Sequence, residues 1–197
     1  RMPMSSSYLC PQVPGISWKQ VENIAEYIRG TIYSEPSKVI QRGACLRLFE
    51  GGLRIFGIEY AVQELALGEE GFYDSQRREL ILSPESYEGL LEDKGRSRFT
   101  LAHELGHSQL HGKFIQSVMQ GRTICPTLKR SQIPAYADPE CQANVFASAF
   151  LMPKQLFLTR MREGLTVDEL AKVFLVSRDA ARIRYTTLQK QASSANY

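Results

Sequence analysis

The chain has 197 residues, and 24 lysines and arginines against 21 aspartates and glutamates give it a formal net charge of +3. Hydrophobic residues make up 43% and charged residues 23%, which excludes a disordered chain, a collagen-like repeat and a coiled coil. No run of about 18 uncharged apolar residues is present, and residues 1–7 lack the apolar core of a secretory signal. The four cysteines form no C-x-x-C pair. We therefore expect a cytoplasmic protein without a membrane segment.

The N-terminal half is predicted to contain a flexible arm, one helix and a few strands. The helix begins after Ser17, which forms a capping box with Gln20, and apolar residues follow at helical spacing. Short apolar runs between glycines and polar turns indicate the strands. The predicted elements are the arm at 1–16, the helix at 18–29, a strand at 53–58, and hairpin arms at 72–74 and 79–82.

The C-terminal half is predicted to be mainly helical. A basic loop without any acidic residue separates two helices, and capping residues indicate two further helices near the end. The predicted elements are a helix at 97–111, the basic loop at 113–137, a helix at 138–151, and a helical pair that begins after Thr166 and after Ser177.

All three histidines lie within nine residues, at His103, His107 and His111. The first two form an H-E-x-x-H motif with Glu104, and their spacing places both imidazoles on one face of a helix, one turn apart. Both can then bind one metal ion. The motif predicts a catalytic zinc site in which Glu104 takes a proton from water. The alternative is a pair of histidines that only make hydrogen bonds.

A catalytic zinc site requires a third protein ligand. Because His111 lies about 12 Å along the helix from His103, we expect it to support a ligand, contact substrate or cap the helix. Glu140 is the better candidate. Asn144, one turn later, is placed to accept a hydrogen bond from an imidazole and fix its tautomer. Taken alone, Glu140 would more simply be a solvated acid at a helix N-terminus.

Two stretches of the chain carry longer motifs than H-E-x-x-H. Residues 98–107 read R-F-T-L-A-H-E-L-G-H, and residues 140–153 contain E-x-x-A-N-x-F-A followed by F-L-M-P. In this order they resemble the signature of the ImmA/IrrE-type metallopeptidases. The resemblance implies an α+β fold, in which a small zincin-like domain has a few-stranded mixed sheet packed on the active-site helix. We expect this domain at 17–160 and a C-terminal helical pair at 161–197.

The same resemblance implies a set of functional residues and a regulatory role. His103, His107 and Glu140 would be ligands of Zn²⁺, and Glu104 would be the general base. The expected substrate is a regulatory protein, often a helix-turn-helix transcriptional repressor, cleaved after DNA damage, phage infection or another stress. Some antiviral CBASS systems carry such a pair. An edge strand would bind the substrate peptide through its main chain, and we expect this strand to comprise Glu79, Leu80, Ile81 and Leu82.

Gln142 departs from the pattern, because many members have an acid at this position. If position 142 supplied the ligand, glutamine would bind zinc poorly and the prediction of an enzyme would weaken. The one-turn spacing between Glu140 and Asn144 favours Glu140 as the ligand instead.

Cys125 lies in the basic loop, and a thiolate binds zinc strongly. We hypothesise a cysteine switch, in which Cys125 occupies the open coordination position and silences the enzyme. Single-stranded nucleic acid bound to the basic loop would withdraw the thiolate. The alternative is a small buried cysteine beside a solvated basic surface.

Residues 170–181 resemble a helix-turn-helix pattern, with Leu175 at the turn position that usually holds glycine. Because positive φ is costly for leucine, a different turn is expected. A helical pair that packs on the peptidase is favoured over one that binds DNA. The rival to the peptidase function is a DNA-binding or partner-sensing regulator with a structural or vestigial metal. The residue that stabilises the transition state is open, with Tyr136 and His111 as candidates.

Overall fold

Helices make up most of residues 9–194, the part of the chain that the computed structural model describes. The helices are α1 (Trp18–Ile32), α2 (Ala44–Glu50), α3 (Pro84–Leu91), α4 (Gly95–Met119), α5 (Pro139–Leu151), α6 (Lys154–Arg162), α7 (Val167–Phe174) and α8 (Arg178–Ser194). The strands are β1 (Leu9–Pro11), β2 (Glu59–Val62), β3 (Gly71–Asp74), β4 (Glu79–Leu82) and β5 (Thr127–Lys129). The α+β prediction is confirmed. Among these residues, no helix could span a membrane.

Three of the strands form a mixed sheet with the order β2-β4-β3. β4 runs parallel to β2 and antiparallel to β3, with which it forms the predicted hairpin. The prediction of an edge strand at Glu79, Leu80, Ile81 and Leu82 is therefore wrong, because β4 is hydrogen-bonded on both sides. Its Leu-Ile-Leu run is buried, as expected for a central strand. The sheet edges are β2 and β3.

Two further elements of the N-terminal half differ from prediction. The strand predicted at 53–58 is a 3₁₀ helix over Gly52–Phe56, ended by Gly57 in the left-handed conformation, and β2 begins only at Glu59. Part of the predicted flexible arm is a strand, since β1 pairs antiparallel with β5. Residues 1–8 of that arm lie outside the described residues.

α4 forms the centre of the fold, between β3 on one side and α5 on the other. It ends at Met119 rather than near residue 111, so the first part of the predicted basic loop is helical. Gly106 faces Phe146 of α5 so closely that an added Cβ would lie 3.1 Å from the phenyl ring. This approach brings the polar residues of both helices within reach of each other.

Two buried arginines hold the C-terminal end of α5. Arg29 of α1 donates a hydrogen bond to the carbonyl of Phe150 at 2.6 Å, and Arg184 of α8 donates to the carbonyl of Met152 at 3.1 Å. Arg184 also forms an ion pair with Glu22 of α1. The last turn of α5 is thus tied to segments from both ends of the chain.

α7 and α8 form the predicted C-terminal helical pair and pack with α6. Leu175 between them adopts φ 53° and ψ 49°, the left-handed conformation. The turn therefore has the backbone that glycine usually provides, and the expectation of a different turn is wrong. This conformation costs a non-glycine residue about 1–2 kcal/mol, and Val176 after it is buried.

Candidate metal centre

Three predicted ligands converge where α4 meets the first turn of α5. The Nε2 atoms of His103 and His107 lie 3.0 Å apart. The carboxylate of Glu140 places Oε2 at 3.4 Å from Nε2 of His103 and Oε1 at 3.2 Å from Nε2 of His107. Ligands bound tetrahedrally to zinc at 2.0–2.1 Å are about 3.3–3.4 Å apart. The two imidazoles and one carboxylate therefore fit a catalytic zinc site with one open position.

His103 is oriented by Asn144, as the spacing on α5 predicts. Nδ1 of His103 lies 3.1 Å from Oδ1 of Asn144. Because an amide oxygen only accepts hydrogen bonds, the imidazole proton is on Nδ1. The lone pair of Nε2 is then directed at the metal position, the arrangement that a zinc ligand needs.

His107 is supported by His111, whose side chain is 1% exposed. Their Nδ1 atoms lie 3.1 Å apart, and Nε2 of His111 lies 2.9 Å from Oε1 of Gln142. Burial lowers the pKa of His111 to about 4, so the imidazole is neutral near pH 7. His111 is thus a support of a ligand, one of the roles expected for it.

Glu140 sits in the first turn of α5, where Asp138 caps the helix by accepting from the backbone N–H of Glu140 at 2.8 Å. Burial opposes ionisation of Glu140. The neighbouring imidazoles of His103 and His107 outweigh burial, so the pKa of Glu140 lies well below its usual range. Glu140 is therefore an anion, the form in which a carboxylate binds a metal.

Glu104 lies beside the ligands and is 7% exposed. Burial raises the pKa of its carboxyl group to about 7, while both imidazoles and a backbone hydrogen bond from Tyr73 of β3 oppose this rise. A carboxylate in such a place can accept a proton near neutral pH. Glu104 is thus positioned between the metal ligands and the β3 edge of the sheet.

Cys125 is not brought to this site. Within residues 9–194, the one group of three or more candidate ligands with atoms within 4.8 Å of one another is His103, His107 and Glu140. The thiol of Cys125 instead donates to the carbonyl of Gln12 at 3.4 Å. The side chain of Tyr136 is 56% exposed. The cysteine switch and the role of Tyr136 in catalysis stay predictions.

Sequence reasoning missed the function of Gln142, which is 1% exposed. Its Nε2 donates to the carbonyls of Pro14 at 3.1 Å and Tyr136 at 2.7 Å, while its Oε1 faces His111. The signal in the sequence was the third histidine, which needed an acceptor from α5. The contact with Pro14 joins residues far apart in the chain and had no local signal.

The centre has the arrangement of a zincin-like site: an H-E-x-x-H helix completed by a glutamate from a second helix. Residues 89–186 match the family model of the IrrE N-terminal-like domain, Peptidase_M78, and the chain belongs to this family. The predicted resemblance is confirmed.

A solved structure supports the fold. The protein is similar to a Mycobacterium tuberculosis transcriptional regulator, with a TM-score of 0.55 and 20% identity over 84% of this chain. The match covers 55% of the regulator, so this chain spans about half of its length. At this identity the likeness shows the fold alone. No curated protein matches the chain.

Proposed function

We propose that the protein is a zinc-dependent endopeptidase that cleaves a specific regulatory protein. The observation that carries the proposal is the buried Glu104 beside three converging ligands. A structural zinc site has no use for a proton-accepting group that is not a ligand. Zinc in a catalytic site polarises the scissile carbonyl and lowers the pKa of bound water.

The residues of the chain have distinct roles in this proposal. His103, His107 and Glu140 hold the metal, and the Asn144 and His111 side chains keep both imidazoles in the tautomer that binds it. Glu104 takes a proton from the attacking water and delivers it to the leaving amine. β3, a sheet edge next to α4, replaces β4 as the strand that pairs with an extended substrate.

The proposed substrate is a helix-turn-helix transcriptional repressor, cleaved in response to DNA damage, phage infection or another stress. Membership of the IrrE-type family supports a regulatory target rather than general digestion. Single-stranded nucleic acid and Cys125 remain the proposed activator and inhibitory ligand. Zinc-edge spectroscopy tests the latter, since identical sulfur-free coordination in wild type and Cys125→Ala would contradict the switch.

The peptidase is tested with zinc-loaded protein and candidate helix-turn-helix repressors from the same genome, with and without single-stranded DNA. Wild type should give one defined cleavage by mass spectrometry. Glu104→Gln should keep one zinc per chain and lose about 10²–10⁴-fold in rate. Glu64→Gln, at an exposed glutamate, is the matched control. Cleavage by Glu104→Gln at the wild-type rate would contradict the assigned base.

A second candidate function is a DNA-binding or partner-sensing regulator that uses its metal structurally. The left-handed turn at Leu175 favours it, because α7 and α8 then have the backbone of a helix-turn-helix pair. Two arginines of α8 argue against DNA contact, because acidic residues already neutralise their charge. Arg178 pairs with Asp168, and Arg182 pairs with Asp179. An intact repressor under all conditions, with specific DNA binding by this chain, would favour this second function.

A further inference from the structure

We propose that Gln142 is a positioning residue that sets the tautomer of a zinc ligand two side chains away. It acts through His111 on His107, and it is itself held by Pro14 in the segment that follows β1. The inference rests on the metal site and not on the peptidase reaction.

The chain of hydrogen bonds has one consistent direction when a metal is bound. A metal on Nε2 of His107 leaves the imidazole proton on Nδ1, 3.1 Å from Nδ1 of His111. His111 must accept this hydrogen bond, so its own proton must lie on Nε2. That proton then needs an acceptor, and Oε1 of Gln142 lies 2.9 Å away.

The orientation of the Gln142 amide is fixed from its other end. Nε2 of Gln142 donates to two main-chain carbonyls, those of Pro14 and Tyr136, and a carbonyl only accepts. Oε1 must therefore point to His111. A carboxylate could accept from His111 but has no donor for the two carbonyls. A glutamine side chain satisfies both sides.

The segment before α1 is built into this arrangement. The backbone N–H of Val13 donates to the carbonyl of Ala137, and that of Ile16 donates to the carbonyl of Tyr136. These bonds place the Pro14 carbonyl against Gln142. Residues 9–16 lie outside the segment that matches the family model. A part of the chain with no ligand of its own thus supports a metal ligand.

A double-mutant cycle on zinc affinity tests the proposal, measured by chelator competition at constant pH. Gln142→Met should weaken zinc binding about 10-fold, as loss of an outer hydrogen-bond partner does. In the His111→Phe background it should have no additional effect, because Gln142 acts through His111. Gln155→Met, at an exposed helical glutamine, should leave zinc affinity unchanged.

Gln142→Glu separates positioning from packing. It keeps the acceptor for His111 but loses the donors, so zinc affinity should stay within about threefold of wild type while stability falls. Equal losses of affinity for Gln142→Glu and Gln142→Met would overturn the proposal. So would an unchanged affinity in Gln142→Met, or the same loss in both backgrounds.

Nitrogen-15 NMR of zinc-loaded wild type gives a test without mutation. The proposal requires the ring proton of His111 on Nε2 and that of His107 on Nδ1. A proton on Nδ1 of His111 would overturn the proposal. Because neither experiment measures cleavage, a chain that binds zinc as described but cleaves nothing would contradict the peptidase alone.

Discussion

The two imidazoles of the metal centre are oriented for metal binding through two different sets of hydrogen bonds. His103 is oriented by Asn144, a single amide on the helix that also supplies Glu140. His107 depends on His111 and Gln142, and through Gln142 on the carbonyl of residue 14. The first set of contacts, which we call the short route, stays within the packed helices α4 and α5. The second set, the long route, makes a zinc ligand sensitive to the N-terminal segment.

Removal of a ligand should have the largest effect and should erase the difference between the routes. His103→Ala and His107→Ala should each abolish stoichiometric zinc binding, because two protein ligands are too few for a stable catalytic site. Metal content after dialysis against a chelator measures this. Retention of one zinc per chain in either variant would show that the ion is bound elsewhere.

Asn144→Ala breaks the short route alone. Zinc affinity should fall about 10–100-fold, since the tautomer of His103 is no longer fixed. Asn23→Ala, at an exposed position of α1, serves as the control in the same chelator competition. An affinity equal to wild type would mean that helix packing alone orients His103.

Gly106→Ala tests both routes together by separating the helices. The new Cβ would lie 3.1–3.2 Å from three atoms of Phe146, so α5 must shift. Overpacking should cost about 1–3 kcal/mol, partly offset by about 1 kcal/mol of helix propensity. We expect a lower unfolding midpoint in urea and weaker zinc binding. Gly30→Ala, whose Cβ would meet Pro36 only at 4.0 Å, should not destabilise the protein. A Gly106→Ala variant as stable as Gly30→Ala would contradict the close packing.

Gly15→Ala disturbs only the far end of the long route and should have the smallest effect. Its Cβ would lie 2.7 Å from the ring of Tyr136, so either this ring or the segment that carries Pro14 must shift. Gln142 keeps its bond to the Tyr136 carbonyl, so zinc affinity should fall about threefold or less. The loss should add to that of Asn144→Ala but not to that of Gln142→Met. If the loss of zinc affinity added to that of both variants, the N-terminal segment would not act on His107 through Gln142.

The short route was predictable from the sequence and the long route was not. Helical periodicity relates residues four apart, so His103 and His107, or Glu140 and Asn144, are placed on common faces without knowledge of the fold. Gln142 and Pro14 are brought together by tertiary packing, for which periodicity carries no information.

The sheet illustrates the same limit. The hairpin was predictable because its two arms are adjacent in sequence. The central place of β4 depends on its parallel partner β2, which is adjacent in the sheet but separated from β4 along the chain by β3. The apolar run of β4 could have indicated that both of its faces are covered. The 3₁₀ helix at Gly52–Phe56 was missed because a short apolar run has no distinctive period.

The hydrogen bonds from Arg29 and Arg184 to the end of α5 limit which fragments of this protein can fold. The stretch related to the IrrE domain, residues 89–186, contains Arg184 but not α1. In a fragment limited to these residues, the buried guanidinium of Arg184 would lose its partner Glu22, at a cost of about 3–5 kcal/mol. The Phe150 carbonyl would also lose its hydrogen bond from Arg29. The segment that matches the family model is therefore shorter than the segment that we expect to fold by itself. A fusion or fragment-complementation design must carry Trp18–Ile32 along, in cis or as an added peptide.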